Sequence, residues 1–177
     1  MKVVLIAVAI SILSLTLIIY TVDYGEYNEY SNLAKNVCDI SSQQSATLVQ
    51  EIPLSKGIIK YKSTEIKKAI DYQIDYSFGT TNREYTASQK KAFTNNEITY
   101  DYILIESDGN LTEYNHNGIL VNQKIITFPY VYIDSKTGYT RTLTDPTVIV
   151  RINLGAFENR FTTPIIRSSA YIEHEIK

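Results

Sequence analysis

The sequence predicts an α+β protein with a long N-terminal helix, a short second helix and a C-terminal antiparallel sheet. Residues 3–20 form an apolar run without a charged residue, and a helical spacing of apolar residues continues to Ile52. From Glu97 onward the period changes to two, which is typical of strands. Helices that precede a group of strands, rather than alternating with them, indicate the α+β class.

The apolar run has the length that a transmembrane helix needs. We therefore predict a membrane anchor over residues 1–22, with membrane lipid as its first partner. The run exceeds the ~7–15 apolar residues of a signal peptide, and residues 18–22 offer no small-x-small cleavage site. An uncleaved anchor is favoured over a cleavable signal peptide. Four small residues in the run would let a partner helix approach closely: Ala7, Ala9, Ser11 and Ser14.

Flanking charge predicts the orientation of the anchor. Lys2 precedes the run, whereas Asp23, Glu26 and Glu29 follow it. Because basic residues stay on the cytoplasmic side, we expect the domain formed by residues 23–177 to lie outside the cytoplasm. All 19 acidic residues and all 17 basic residues except Lys2 follow the run, so this domain is slightly acidic. It has no basic cluster, and nucleic acid is not an expected partner.

Residues 23–52 continue the helix as an amphipathic spine with one stripe of small and apolar side chains. We predict that this stripe packs against the domain's own sheet, mainly through Ala34, Val37, Cys38, Ser41 and Leu48. Cys38 is the single cysteine, so the chain can form no internal disulfide.

Two apolar residues of the spine, Leu33 and Ile40, lie outside that stripe. They are seven residues apart and share one line along the helix. The second helix of the domain could cover them, or the helix of a neighbouring subunit could do so, since packed helix pairs repeat with a heptad spacing. Both interpretations stay open at this point.

The rest of the chain divides at about residue 97. In residues 53–96, Pro53 is expected to end the long helix, and a second helix is predicted from Ser63 or Thr64 to Tyr76, with a further short helix at 86–93. Residues 97–177 are predicted to form an antiparallel meander, with hairpin turns at Asp108-Gly109 and Asn117-Gly118. The expected strands are residues 98–106, 111–114, 119–127, 130–133, 139–143, 147–154 and 165–176.

No arrangement of residues points to catalysis, a cofactor or a metal. His116 and His174 lack metal-ligand spacing to cysteines or carboxylates, and no nucleophile elbow is present. The segment from Asp108 to Glu113 resembles the start of a calcium loop, but its glycine and glutamate are misplaced, so an ordinary turn is favoured. Alternating tyrosines at 100 and 102, and at 130 and 132, favour cross-strand packing over carbohydrate contacts.

This order of elements resembles the type IV pilin and pseudopilin group, and most closely the TadE/TadG-type pilin-like proteins of tight-adherence pilus systems. The ending TVIVRINLGAFENRFTTPIIRSSAYIEHEI is similar to the paired final strands of TadE-like proteins. The resemblance implies a non-enzymatic structural subunit, at the cell surface or assembled into a filament. Its partners would be other pilin-like subunits and an assembly platform. The apolar run contains no glutamate, which favours a minor subunit over the major pilin.

One alternative is a single-span extracytoplasmic module that binds or senses a ligand with its strands. Such a module needs a pocket and no self-association, whereas a pilin-like subunit needs helix–helix contacts. An anchored enzyme is the least favoured hypothesis, because the sequence offers no candidate catalytic residues.

Overall fold

The structure, a computed structural model, describes residues 2–136 and 138–157. It confirms the predicted α+β class, with a long apolar N-terminal helix, shorter helices and an antiparallel sheet. The helices are α1 (Lys2–Thr47), α2 (Glu51–Ser55) and α3 (Ser63–Phe78), with a 3₁₀ turn at Gln89–Lys91. The strands are β1 (Thr99–Ile105), β2 (Asn110–Asn115), β3 (Leu120–Ile125), β4 (Tyr130–Ile133), β5 (Thr140–Leu143) and β6 (Thr147–Asn153).

Helix α1 is continuous but ends at Thr47, five residues before the predicted end at Ile52. The chain leaves the helix because its backbone pairs with the segment that leads into α3. The Gln50 N–H donates to the Lys60 carbonyl over 2.7 Å, and the Lys62 N–H donates to the Leu48 carbonyl over 2.9 Å. The prediction that Pro53 ends the long helix was therefore wrong. Pro53 lies in the first turn of α2, where a helix needs no N–H donor.

Helix α3 begins at Ser63, with Lys62 at its N-cap position instead of the expected Ser63 or Thr64, and it extends two residues beyond the predicted Tyr76. Gly79 ends it in the left-handed conformation with φ of 64°, the geometry that favours glycine at this position. The helix predicted at residues 86–93 is only a single 3₁₀ turn. It is cut short because Phe93 leaves the turn to form a bridge with Phe157.

Four strands form one antiparallel sheet in the order β3-β2-β1-β6. The turns at Asp108-Gly109 and Asn117-Gly118 join β1 to β2 and β2 to β3, as predicted. The single predicted meander is interrupted, however, because β4 and β5 pair only with each other in a separate two-stranded ribbon. Pro129 precedes this ribbon and cannot donate to a continuing ladder. The strand predicted at residues 165–176 lies outside the described residues.

The sheet lies between two apolar layers. Its inner face carries Tyr100, Tyr102 and Val150, which pack with α1 and α3 in what we call the helical core. Its outer face carries Ile103 and Ile149, which pack with the ribbon in what we call the ribbon core. Strands β1 and β6 are thus covered on both sides, which explains their nearly continuous burial.

Candidate functional site

The N-terminal half of α1 stands free of the domain. Val3 is 79% exposed and Leu13 is 63% exposed, and none of the most apolar stretch of the helix is buried. Within the described residues, α1 is the one helix long and apolar enough to cross a membrane. In a soluble helix such apolar side chains are buried, and their burial stabilises the fold. Here they are exposed and would be stabilised only by an apolar environment outside the domain.

Three hydroxyl groups in this half, those of Ser11, Thr16 and Thr21, form hydrogen bonds within the helix itself. The Ser11 hydroxyl donates to the Ala7 carbonyl over 2.9 Å, and the Thr16 hydroxyl donates to the Ile12 carbonyl over 2.9 Å. A hydroxyl without a partner is costly in an apolar medium, and these back-bonds remove that cost. Ser11 and Thr16 are therefore compatible with a hydrocarbon environment.

The four small residues of the apolar run do not share one face. A helix advances about 100° per residue, so Ala7, Ser11 and Ser14 fall within about 60° of one another. We call these three residues the small-residue stripe. Ala9 lies on roughly the opposite side of the helix. The same periodicity places the small-residue stripe about half a turn away from Ala34, which faces the domain.

The end of the apolar run is marked by aromatic residues. Tyr20 and Tyr24 are about half exposed, and their rings stack with centroids 6.4 Å apart and an interplanar angle of 11°. Rings of this amphipathic type favour the membrane–water interface. Asp23, between them, is the first buried residue of α1, so the contact between helix and domain begins where the apolar run ends.

The second half of α1 is part of the domain's interior. Ala34, Val37 and Cys38 are at most 1% exposed and belong to the helical core, and Leu48 packs against it while half-buried. Ser41 and Ser45 are also fully buried, and their hydroxyls have no hydrogen-bond partner among the described residues. Small side chains along this stripe allow α1 to lie close to α3 and β6.

Leu33 and Ile40 occupy different environments although they share a line on the helix. Leu33 is half-buried and packs against the helical core, whereas Ile40 is 40% exposed. Asn36 and Gln43, on the same side of α1 as Ile40, are exposed. The outward side of the domain half is therefore mostly polar, and Ile40 is an isolated apolar residue on it.

Sequence reasoning missed a buried charge network centred on Arg151, which is 3% exposed in β6. Its Nη1 lies 2.6 Å from Asp134 Oδ1, its Nη2 lies 3.0 Å from Asp101 Oδ2, and Nη2 also contacts the Glu113 carboxylate. Burial alone would lower the pKa of the Arg151 guanidinium, but Tyr132 and these three carboxylates together raise it. The sequence did contain one signal of this network, because Arg151 stands among the apolar residues of β6, a strand that is buried on both faces.

The network lines a cavity of about 270 Å³ between the outer face of the sheet and the ribbon. Its walls combine aliphatic, acidic, basic and amide side chains. The lining residues are Ile103, Leu111, Glu113, Val121, Asn122, Lys124, Tyr132, Ile133, Asp134, Ser135, Lys136 and Arg151.

The other residues considered as candidates from the sequence form ordinary contacts within the fold. His116 is half-buried, with its Nε2 3.7 Å from a Glu97 carboxylate oxygen. Asp108 accepts the Asn110 N–H over 3.0 Å, which lowers the pKa of its carboxyl, and nearby Lys60 adds to this effect. Within residues 2–136 and 138–157, no group of three histidine, cysteine or acidic side chains could hold a metal ion. His174 lies outside the described residues.

An exposed apolar helix that continues into a packed domain defines a class: an α+β protein in which one of the described helices is long and apolar enough to cross a membrane. Comparisons of the chain with protein-family models, with curated proteins and with solved structures give no match. Its function is therefore inferred from its own geometry.

Proposed function

We propose that this chain is a non-enzymatic structural subunit of the pilin-like type, held in a membrane by one N-terminal span. Its domain would lie outside the cytoplasm, and it would serve as a minor subunit of a type IV or Tad-like pilus or of a related secretion machine. Other pilin-like subunits and an assembly platform would be its partners. The observation that supports this proposal most is the continuity of α1, whose apolar half is exposed while its other half is domain core.

Continuity favours a packing role over a simple tether. A domain that only needs attachment can hang from a flexible linker, which leaves its orientation undetermined. Here the same helix that enters the membrane also carries Val37 and Cys38 in the helical core. The orientation of the domain relative to the span is therefore defined, as an ordered assembly of subunits requires.

The small-residue stripe supplies a surface for such an assembly. Small side chains allow helices in a membrane to approach closely, so that lipid contacts are exchanged for protein contacts. Ala7, Ser11 and Ser14 lie about half a turn from the side of α1 that faces the domain. Several copies could therefore pack their helices together without collision between their domains. The polar outward side around Asn36 and Gln43 indicates that the apolar half carries most of this contact.

Cysteine crosslinking in native membranes tests the proposal. Single cysteines replace Ala7, Ser14 or Ala9 in a Cys38→Ala background, and an oxidant then joins neighbouring copies. We expect Ala7→Cys and Ser14→Cys to form disulfide-linked dimers, because these positions face the partner helix. Ala9→Cys is the matched control, since it changes the same residue type on the opposite side of the same helix.

Three outcomes can be distinguished on a non-reducing gel. A several-fold excess of dimer at Ala7→Cys over Ala9→Cys supports helix packing through the small-residue stripe. Equal crosslinking at both positions would indicate random collision in the bilayer. Absence of dimer at all three positions would contradict association of copies through this half of α1.

A further inference from the structure

The cavity beside Arg151 has the composition of a binding site rather than of a packing defect. A void left by imperfect packing in a core is lined by apolar atoms and stays dry. This cavity instead combines Glu113, Lys124 and Lys136 with the aliphatic side chains of Val121 and Ile133. It lies outside the helical core, and α1 supplies none of its lining residues.

The charged groups of the Arg151 network are already paired with one another. Arg151 binds Asp134, Asp101 and Glu113, and Lys136 Nζ lies 2.6 Å from Asp101 Oδ2. A charged ligand would have to take one of these groups from its partner and leave an unpaired charge in a buried place, which is costly. The Arg151 network is therefore a poor site for a charged ligand, whereas Lys124 is a lining cation outside that network.

Several side chains in the wall of the cavity can nevertheless form further hydrogen bonds. An ammonium group has three donors, and Lys136 uses one on Asp101 while Lys124 uses one on the Tyr130 hydroxyl, over 2.5 Å. The side-chain amide of Asn122 lines the cavity and is exposed.

A neutral molecule with several hydroxyl groups fits this combination of properties. Hydroxyls donate to carboxylates and accept from ammonium, guanidinium and amide groups without breaking an existing ion pair. The aliphatic residues of the wall, such as Val121 and Ile133, suit the C–H surface of a sugar ring. The volume of about 270 Å³ lies just below the range of about 300–1,000 Å³ usual for ligand pockets. It therefore limits the ligand to about one ring.

We propose that the cavity between the sheet and the ribbon binds a single neutral sugar residue, free or at the end of a glycan. This site is separate from the assembly function proposed for α1, and either can fail without the other. It would add recognition of a saccharide surface to a membrane-anchored subunit. The residues that carry it are Asn122, Lys124 and Lys136, with Arg151 holding the carboxylates of the wall in place.

Binding can be measured with the full chain in dodecylphosphocholine micelles, whose head group is not a sugar. The probes are D-glucose, D-galactose, D-mannose and N-acetyl-D-glucosamine, followed by saturation-transfer NMR and titration calorimetry. We expect at least one of them to bind. Asn122→Ala should weaken that binding about threefold to tenfold, the effect of losing one hydrogen bond. Val121→Trp, which places a large ring at the cavity wall, should abolish it.

Gln123→Ala is the matched control, because Gln123 is the next residue of β3 and its amide bonds to Asn110 instead of lining the cavity. It should leave the affinity unchanged. The proposal is overturned if none of the four sugars binds, or if binding is insensitive to both Asn122→Ala and Val121→Trp. Acetate and ethylammonium serve as charged probes, and preferential binding of either would also overturn it.

Discussion

Replacement of Arg151 by methionine should cost more stability than any surface change of similar size. Methionine approximates the length of the side chain but removes the charge that three carboxylates surround. The side chain of Asp134 is 1% exposed, and that of Glu113 is 16% exposed, so neither can recover full hydration without a movement of the ribbon. Asp101 loses less, because Lys136 remains 2.6 Å away.

Removal of one partner from a buried ion pair costs about 3–5 kcal/mol. We expect Arg151→Met to lower the free energy of unfolding by about that amount. Urea titrations of the full chain in micelles, followed by circular dichroism, measure this loss.

A double variant separates the ion pair from simple side-chain loss. Arg151→Met combined with Asp134→Asn should be more stable than the sum of the two single changes predicts, since the partners interact directly. Lys90→Met, at an exposed position, is the control for charge removal. A loss below about 1 kcal/mol for Arg151→Met, the size expected of a surface pair, would refute the buried-network interpretation.

Three further outcomes are expected in the same unfolding assay. Ser41→Ala should leave stability unchanged or raise it by up to about 1 kcal/mol, because the buried hydroxyl has no partner among the described residues; a clear loss would contradict this. Burial raises the pKa of Tyr61 and of Tyr102 to about 12, so the folded state keeps protons that the unfolded state loses. Stability should therefore be complete below about pH 10 and fall from pH 10 to 12 by about 1.4 kcal/mol per pH unit for each tyrosine, and a flat profile would refute this. Val37→Asp places an unpaired charge at a 1% exposed site and should cost several kcal/mol, whereas Asn36→Asp on the exposed side should have little effect.

Local signals predicted the elements of this fold well. The apolar run and the helical spacing identified α1, and α3 ends two residues after its predicted end at Tyr76. The dipeptides Asp108-Gly109 and Asn117-Gly118 located two hairpins correctly, because a tight turn depends on the residues within it. These features follow from interactions between neighbours in sequence.

Features decided by distant residues were not predictable in the same way. The end of α1 depends on pairing of Leu48 and Gln50 with Lys60 and Lys62, which local periodicity does not reveal. Strands β4 and β5 form a separate ribbon that covers the outer apolar face of the sheet, and local patterns do not show which face a ribbon covers. The cavity and its charge network join Asp101, Glu113, Asp134 and Arg151 from different strands and a loop. Single-sequence patterns carry no information about such pairings.

In the membrane-anchored subunit proposed above, the length of α1 determines how mechanical force would pass between the domain and the membrane. Its 46 residues form a rod of ~69 Å at 1.5 Å per residue, with no slack segment between the anchor and the core. A pull on the domain would therefore be delivered directly to the proposed span, and a tilt of the span would turn the domain with it. Gly25 is the only glycine in the rod, and a Cβ there would meet nothing within 4 Å. Its low helix propensity makes that turn the place where the rod bends most easily under load.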